Sequence, residues 1–360
     1  MAGILPRDLL RRCAVSHGDK TALIEGQRQR SWAEIEQRTN ALAAGLQAIG
    51  VQKGDVVAML AKDHLEVIEL WFACLKIGAV RVGINWRYAP REMLHLIGDS
   101  NAKLVFIESA CIELLGDGLV QLQQQGCQLG GFGSVDHGLS LDFEALISAG
   151  GEPDLPELSE DDLCAISYTS GTTGLPKGAL WTHRGVRDTL VHSALELGLH
   201  HEDTYYSPFP MAGVPILCAS FGMVNGLTTI IPDGVFDAEA ALLDMQVHAA
   251  TVAIFVPTMM QRIIELYQQG DYQLQLRLLT YGSSPATPTL IRDAISTFGC
   301  EIIQLYGLTE STAGWLSFLR HEDHLRGLDE PELLTSAVNL HCMWIWKSTP
   351  QKVKSYRSAR

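Results

Sequence analysis

Residues 166–178 read Ile-Ser-Tyr-Thr-Ser-Gly-Thr-Thr-Gly-Leu-Pro-Lys-Gly, a hydroxyl- and glycine-rich stretch closed by one lysine and enclosed by apolar runs at 163–166 and 179–181. Two short β-prone runs around such a stretch predict a strand, a tight loop and a second strand. Gly171, Gly174 and Gly178 let the backbone turn and present bare N–H groups, while several hydroxyls and the Lys177 ammonium add donors around the same point. That chemistry suits a polyphosphate. The spacing differs from the nucleotide P-loop, because Lys177 follows Gly174 by three residues and is itself followed by glycine instead of Ser or Thr. A GTPase or motor-ATPase reading therefore loses its main support. A flexible surface loop is the competing reading, and the flanking strand-like runs argue against it.

Around this loop the chain alternates between two periodicities. Strands are expected at 21–24, 55–60, 79–84 and 103–107, with helices at 64–77 and 90–98, and Ser31 with Glu34 has the capping-box spacing for a helix that stops at Gly50. This alternation predicts an α/β fold: two doubly wound, mostly parallel sheets with covering helices. Residues 121–156 lose the pattern in Gln- and Gly-rich stretches and read as an exposed connection. Beyond the loop, Thr182 is placed to cap a helix that buries Val186, Leu190, Val191 and Leu195.

One theme then recurs: strand 251–256 runs into Pro257 and Thr258, strand 276–281 into Gly282, Ser283, Ser284 and Pro285, and strand 301–305 into Tyr306, Gly307, Leu308, Thr309 and Glu310. Helices at 258–268 and 287–298 separate these strands. Ligands of doubly wound sheets bind beyond the carboxyl ends of the strands, so the loops are expected on one rim. Tyr306 offers a ring to a base, the Gly282 loop offers backbone groups to its edge, and Thr309 with Glu310 can reach phosphate and a metal. Taken singly, Tyr306 reads equally well as core and Glu310 as a solvated acid; the three loops together carry the case.

Composition narrows the class. A chain of 360 residues exceeds one small core, so two subdomains are expected, 1–160 and 161–337, the second holding the nucleotide-binding loops. With 41 acidic against 27 basic residues the net charge is −14, which argues against a nucleic-acid partner. The eight cysteines are scattered without a CxxC pair, so a reducing compartment and no structural metal are expected. The N-terminus lacks the apolar core of a signal peptide, which points to the cytoplasm. Residues 204–232 hold no charged side chain and are long enough to span a membrane, but Pro208, Pro210, Pro215, Gly213, Gly222 and Gly226 interrupt them. A buried helix followed by a buried strand is expected instead of a transmembrane segment.

Residues 168–178 together with Tyr306-Gly307-Leu308-Thr309-Glu310 resemble the adenylate-forming superfamily of acyl-CoA synthetases, luciferases and peptide-synthetase adenylation domains. The likeness covers roughly residues 15–335, and Val82-Gly83-Ile84-Asn85-Trp86-Arg87-Tyr88 looks most like the fatty-acyl and medium-chain acyl-CoA synthetase branch. The resemblance implies ATP- and Mg²⁺-dependent activation of a fatty carboxylic acid to an acyl-adenylate, followed by transfer to coenzyme A. It implies that Thr169, Ser170, Gly171, Thr172, Thr173, Gly174 and Lys177 hold the β- and γ-phosphates. By the same resemblance Thr169 and Glu310 place Mg²⁺, Gly282, Ser283, Ser284, Pro285 and Tyr306 hold adenine, Gly307 belongs to the nucleotide site, and Thr309 meets the α-phosphate. Lys177, Thr309 and Glu310 are the expected catalytic residues, and the acyl chain is expected along 208–226 and the strand near Val256.

The departures from the family pattern are as specific. Met211 stands about where a histidine or another ring often lines the acyl site, and the residues after Glu310 contain no Thr-Gly-Asp or Ser-Gly-Asp and no closing Gly-Lys. The family's small C-terminal domain, with its adenylation lysine, is therefore expected to be absent, and the fold incomplete beyond about residue 337. Residues 338–360 carry Lys347, Lys352, Lys354, Arg357 and Arg360 without an acid, and read as a divergent basic tail from an altered reading frame or alternative exon. Truncation is expected to impair turnover and to leave apolar surface that favours self-association. The alternative function is a catalytically inactive ATP- and acyl-binding or partner-binding protein.

Overall fold

The computed structural model describes residues 3–133, 137–169, 174–312 and 314–335. Ser170, Gly171, Thr172 and Thr173 of the phosphate loop, and the 338–360 tail, lie outside the described residues. In chain order the strands are β1 (Thr21–Glu25), β2 (Arg28–Ser31), β3 (Val56–Ala61), β4 (Val80–Asn85), β5 (Leu104–Glu108), β6 (Gln128–Phe132), β7 (Leu141–Asp142), β8 (Leu163–Thr169), β9 (Lys177–Thr182), β10 (Thr204–Tyr206), β11 (Thr228–Ile230), β12 (Val252–Phe255), β13 (Leu278–Gly282), β14 (Glu301–Gly307) and β15 (Trp315–Leu319). They build an eight-stranded sheet, β15-β14-β13-β12-β10-β11-β1-β2, and a seven-stranded sheet, β7-β6-β5-β3-β4-β8-β9. Pairing is parallel except at β1/β2, β8/β9 and β14/β15. Sheet membership crosses residue 160 in both directions, since β1 and β2 join the strands that start with β10, while β8 and β9 join those that start with β3.

The elements form for local reasons. Ser31 caps the helix Trp32–Ala48, its Oγ accepting from the Glu34 N–H at 3.2 Å while its own N–H donates to the Glu34 carboxylate at 2.7 Å. The helix Leu65–Ile77 is buried along its whole length, in a core that packs elements of both sheets together. Burial of one such apolar side chain, Phe72 for example, is worth ~1.5–3 kcal/mol. The polar residues on this helix are buried only with partners: Glu66 on Arg28 at 2.6 Å, Glu69 on Arg38 at 2.6 Å, and Lys76 on Glu36 at 2.6 Å. At its start His64 sits between Glu25 of β1, 2.8 Å away, and Glu108 of β5, 3.4 Å away, which links the two sheets electrostatically.

Three segments depart from the sequence expectation. Residues 121–156 are no simple exposed connection: β6 is buried and pairs with β5, and the helix Phe143–Ala149 packs on the helix Trp32–Ala48. Gly130 hides this strand from propensity, because the Phe106 ring fills the space of its missing side chain, within 2.6 Å of where a Cβ would stand. On the helix His183–Glu196 the buried stripe is rotated, with Val186 and Leu190 inside but Leu195 76% exposed and Ser193 and Ala194 in its place. Residues 204–232 form β10, the short helices Pro215–Cys218 and Gly222–Asn225, and β11. No helix among the described residues is long and apolar enough to cross a membrane.

Candidate functional site

β12, β13 and β14 lie side by side and parallel, so their exit loops meet at one end of the eight-stranded sheet. A cavity of about 800 Å³ opens there. Gly282, Ser283, Ser284 and Pro285 line it from β13, and Gln304, Leu305, Tyr306, Gly307, Leu308 and Thr309 line it from β14. Ile254 of β12 and Val256 just after it contribute as well. Opposite them stand Phe209, Pro210, Ala212, Gly213, Val214, Pro215 and Cys218, with Gly83, Asn85, Tyr88 and Tyr168 supplied by the seven-stranded sheet and its loops. None of these lining residues is charged. The loops of β13 and β14 give one end hydroxyls, backbone groups and the 40% exposed Tyr306 ring, and the rest is mostly apolar, with Asn85, Tyr88 and Tyr168 as its polar side chains.

The stretch expected to hold phosphates is flanked by β8 and β9. Thr169 ends β8 and stands opposite Lys177, the first residue of β9, so these two donors face each other in register. Tyr168, one residue earlier, lines the cavity and donates its hydroxyl to Asp99 at 2.8 Å. Gly174 has φ +149°, a conformation that side chains rarely adopt. Lys177 and Glu310 are exposed and do not line the cavity themselves. Thr169 does not line it either; Thr309 does.

The loop after β14 is held by residues that sequence reasoning did not single out. The buried Trp181 indole of β9 donates to the Thr309 carbonyl at 2.8 Å, and the Thr189 hydroxyl donates to the Thr312 carbonyl at 3.1 Å. Thr312 sits at φ 58°, an outlier for a β-branched residue, and Ser283 in the neighbouring loop sits at φ 66°. Strain of roughly 1–3 kcal/mol per such residue persists only where the surroundings impose it. The available signal was the tryptophan itself, whose N–H needs a partner once its ring is buried. Inside the cavity Cys218 is a poor nucleophile, because burial pushes its thiol up to about 12.

A sequence profile described as AMP-binding enzyme matches residues 10–332. The fatty acid–acyl-carrier-protein ligase ScoC of Streptomyces coeruleorubidus is 30% identical over 298 residues, 80% of this chain and 55% of that protein. A feruloyl-CoA synthase of an Amycolatopsis species is 32% identical over 303 residues, 82% of this chain and 57% of that protein. The anthranilate CoA ligase AuaEII, crystallised with anthranoyl-AMP, superposes with a TM-score of 0.81 at 22% identity, over 88% of this chain and 62% of its own, a likeness of fold. The chain thus spans a little over half the length of these curated relatives. With the match running through both sheets and the cavity between them, this chain belongs to the AMP-binding enzyme family, the adenylate-forming ligases of coenzyme A and acyl-carrier protein.

Proposed function

We propose that this cavity binds ATP at its polar end and a fatty carboxylic acid of medium or long chain at its apolar end, for activation to the acyl-adenylate. The observation that carries the reading is the uncharged lining: a mostly apolar chamber opens directly onto the loops of β13 and β14, and none of the described residues that line it carries a charge to pair with an amino group or a second carboxylate. A carboxylate oxygen of the acid attacks the α-phosphorus, the bond to pyrophosphate breaks, and pyrophosphate leaves. In the second half-reaction the thiol of coenzyme A attacks the acyl carbon, and AMP leaves.

The residues have distinct tasks in this reading. Tyr306, Gly307, Gly282, Ser283, Ser284 and Pro285 hold adenine, and the Thr309 hydroxyl meets the α-phosphate. Thr169, Ser170, Gly171, Thr172, Thr173, Gly174 and Lys177 grip the outer phosphates. Preorganised donors of this kind are each worth ~2.7–4 kcal/mol where charge develops. Glu310 and the Thr169 hydroxyl are hard oxygen donors beside these groups, a set that suits Mg²⁺, which commonly takes one or two carboxylates plus phosphate oxygens. When bound, Mg²⁺ would neutralise charge on the phosphates.

The test is acid-dependent exchange of labelled pyrophosphate into ATP. The pure chain is incubated with Mg²⁺ and a series of saturated fatty acids, with a Lys177→Ala variant as control. Exchange above that control, strongest with fatty acids, is the expected result. ATP binding without exchange for any acid would leave only a binding protein.

A further inference from the structure

The chamber wall that carries Phe209, Pro210, Ala212 and Gly213 is an irregular segment between β10 and the helix Pro215–Cys218. Pro208 and Pro210 have no N–H, so a strand ladder cannot hold it. Its fastening comes from the other sheet. Asp63, just past the end of β3, accepts the Met211 N–H at 2.7 Å. Arg81 of β4 donates from Nη2 to the Met211 carbonyl at 2.8 Å. Both backbone groups of one residue are thus gripped by two ionisable side chains, and Arg81 is only 3% exposed.

Burying such groups is costly, the more so because the Arg81 Nε has no partner among the described residues, and the two bonds that are made converge on the wall of the cavity. Burial pushes the Asp63 carboxyl up to about 6 and the Arg81 guanidinium down to about 10, the direction expected for charges kept from water. A separate observation points to the same contact. Gly83, two residues beyond Arg81 and so on the same face of β4, lies where a Cβ would fall 2.1 Å from the Ala212 carbonyl oxygen. The strand and the wall approach as closely as they do only because that position has no side chain.

We propose that Asp63 and Arg81 are positioning residues for the acyl half of the cavity: by clamping Met211 they set the wall of residues 209–213, with Gly83 giving that wall its seat. The proposal rests on the reading of the cavity as an acyl-adenylate site. Loss of the clamp is expected to weaken capture of the acyl chain and leave the nucleotide end untouched, since the residues that line that end come from β13 and β14.

The experiment uses the full chain as wild type, Asp63→Ala, Asp63→Asn and Gly83→Ala, with two probes in calorimetry, AMP and decanoyl sulfamoyl adenosine, and amide hydrogen exchange without ligand. For Asp63→Ala, loss of a hydrogen bond to a charged group predicts about ten- to hundredfold weaker binding of the decanoyl probe, with AMP affinity unchanged. Faster amide exchange is expected, confined to residues 207–213. Asp63→Asn, which keeps an acceptor oxygen, is expected to restore both, and Gly83→Ala to weaken the decanoyl probe alone. Equal weakening of both probes, or no effect of Asp63→Ala on either, overturns the proposal. If Asp63→Ala does not fold, the proposal stands or falls on Gly83→Ala, whose equal effect on both probes overturns it. If the wild type binds neither probe, the adenylate reading itself fails and the acyl role goes with it, a result distinguishable from failure of the clamp alone.

Discussion

His183 opens the helix after β9 and is fully buried, with no hydrogen bond to either ring nitrogen among the described residues. Burial lowers its pKa from 6.5 to about 4, with Asp162 opposing the shift and Arg7 and Lys53 adding to it. In the unfolded chain the same imidazole titrates near its ordinary value of ~6.5. Between those two values the unfolded chain binds a proton that the folded chain refuses, so stability falls as the pH drops from about 6.5 to about 4. A gap of ~2.5 pKa units at ~1.36 kcal/mol each gives ~3 kcal/mol, a large share of the ~5–15 kcal/mol of a folded domain. The perturbation is His183→Leu, read by urea unfolding at pH 7 and pH 4. The wild type should lose ~3 kcal/mol more than the variant across that interval, because titrating carboxylates are common to both and any constant packing cost of leucine cancels. Equal losses in the two proteins would refute the assignment of this acid limb to His183.

The alkaline limb has another source. Burial would lower His64, but hydrogen bonds to Glu108 and Glu25 outweigh it and hold the ring at about 10, so its stabilising contribution is complete below pH 6.5 and lost as the pH rises toward 10. His64→Gln should therefore flatten the loss of stability between pH 7 and 10, measured by the same unfolding assay. Trp181→Phe removes the indole donor from the half-buried Thr309 carbonyl and should cost ~0.5–1.5 kcal/mol, the worth of an ordinary hydrogen bond, together with weaker AMP binding in calorimetry; Trp181→Phe with wild-type AMP affinity would separate the indole from loop placement. The exposed Leu308, Leu316 and Leu325, with Leu316 on the edge strand β15, make self-association the expectation at high concentration. Light scattering should show Leu316→Lys shifting the chain toward monomer, and a wild type that is already monodisperse and monomeric contradicts the prediction.

Much of the fold was legible because its signals are local. The capping box at Ser31, the apolar run of the helix Leu65–Ile77 and the strand-into-loop pattern after β12, β13 and β14 each depend on residues within a few positions of one another. The rim of Gly282, Ser283, Ser284, Pro285, Tyr306, Gly307 and Thr309 followed from the same pattern together with the rule for parallel sheets. What the sequence hid depends on distant partners. Trp181 meets Thr309 across 128 positions, Arg81 meets Met211 across 130, and Asp63 meets Met211 across 148, and no periodicity encodes such pairs. β6 was hidden by Gly130, whose low strand propensity is offset by the ring of Phe106 packed against it. The exchange of β1 and β2 into the sheet of β10 to β15 is equally a long-range choice, made by pairing with β11.

The central claim is that one cavity holds nucleotide and acyl chain together, and a crystal structure of the chain with decanoyl sulfamoyl adenosine tests it most directly. The account predicts the adenine against Tyr306 and the loop of Gly282, Ser283, Ser284 and Pro285, with the alkyl chain running between Phe209, Cys218 and Ile254. Density for the probe elsewhere, or with its alkyl chain in solvent, would contradict it.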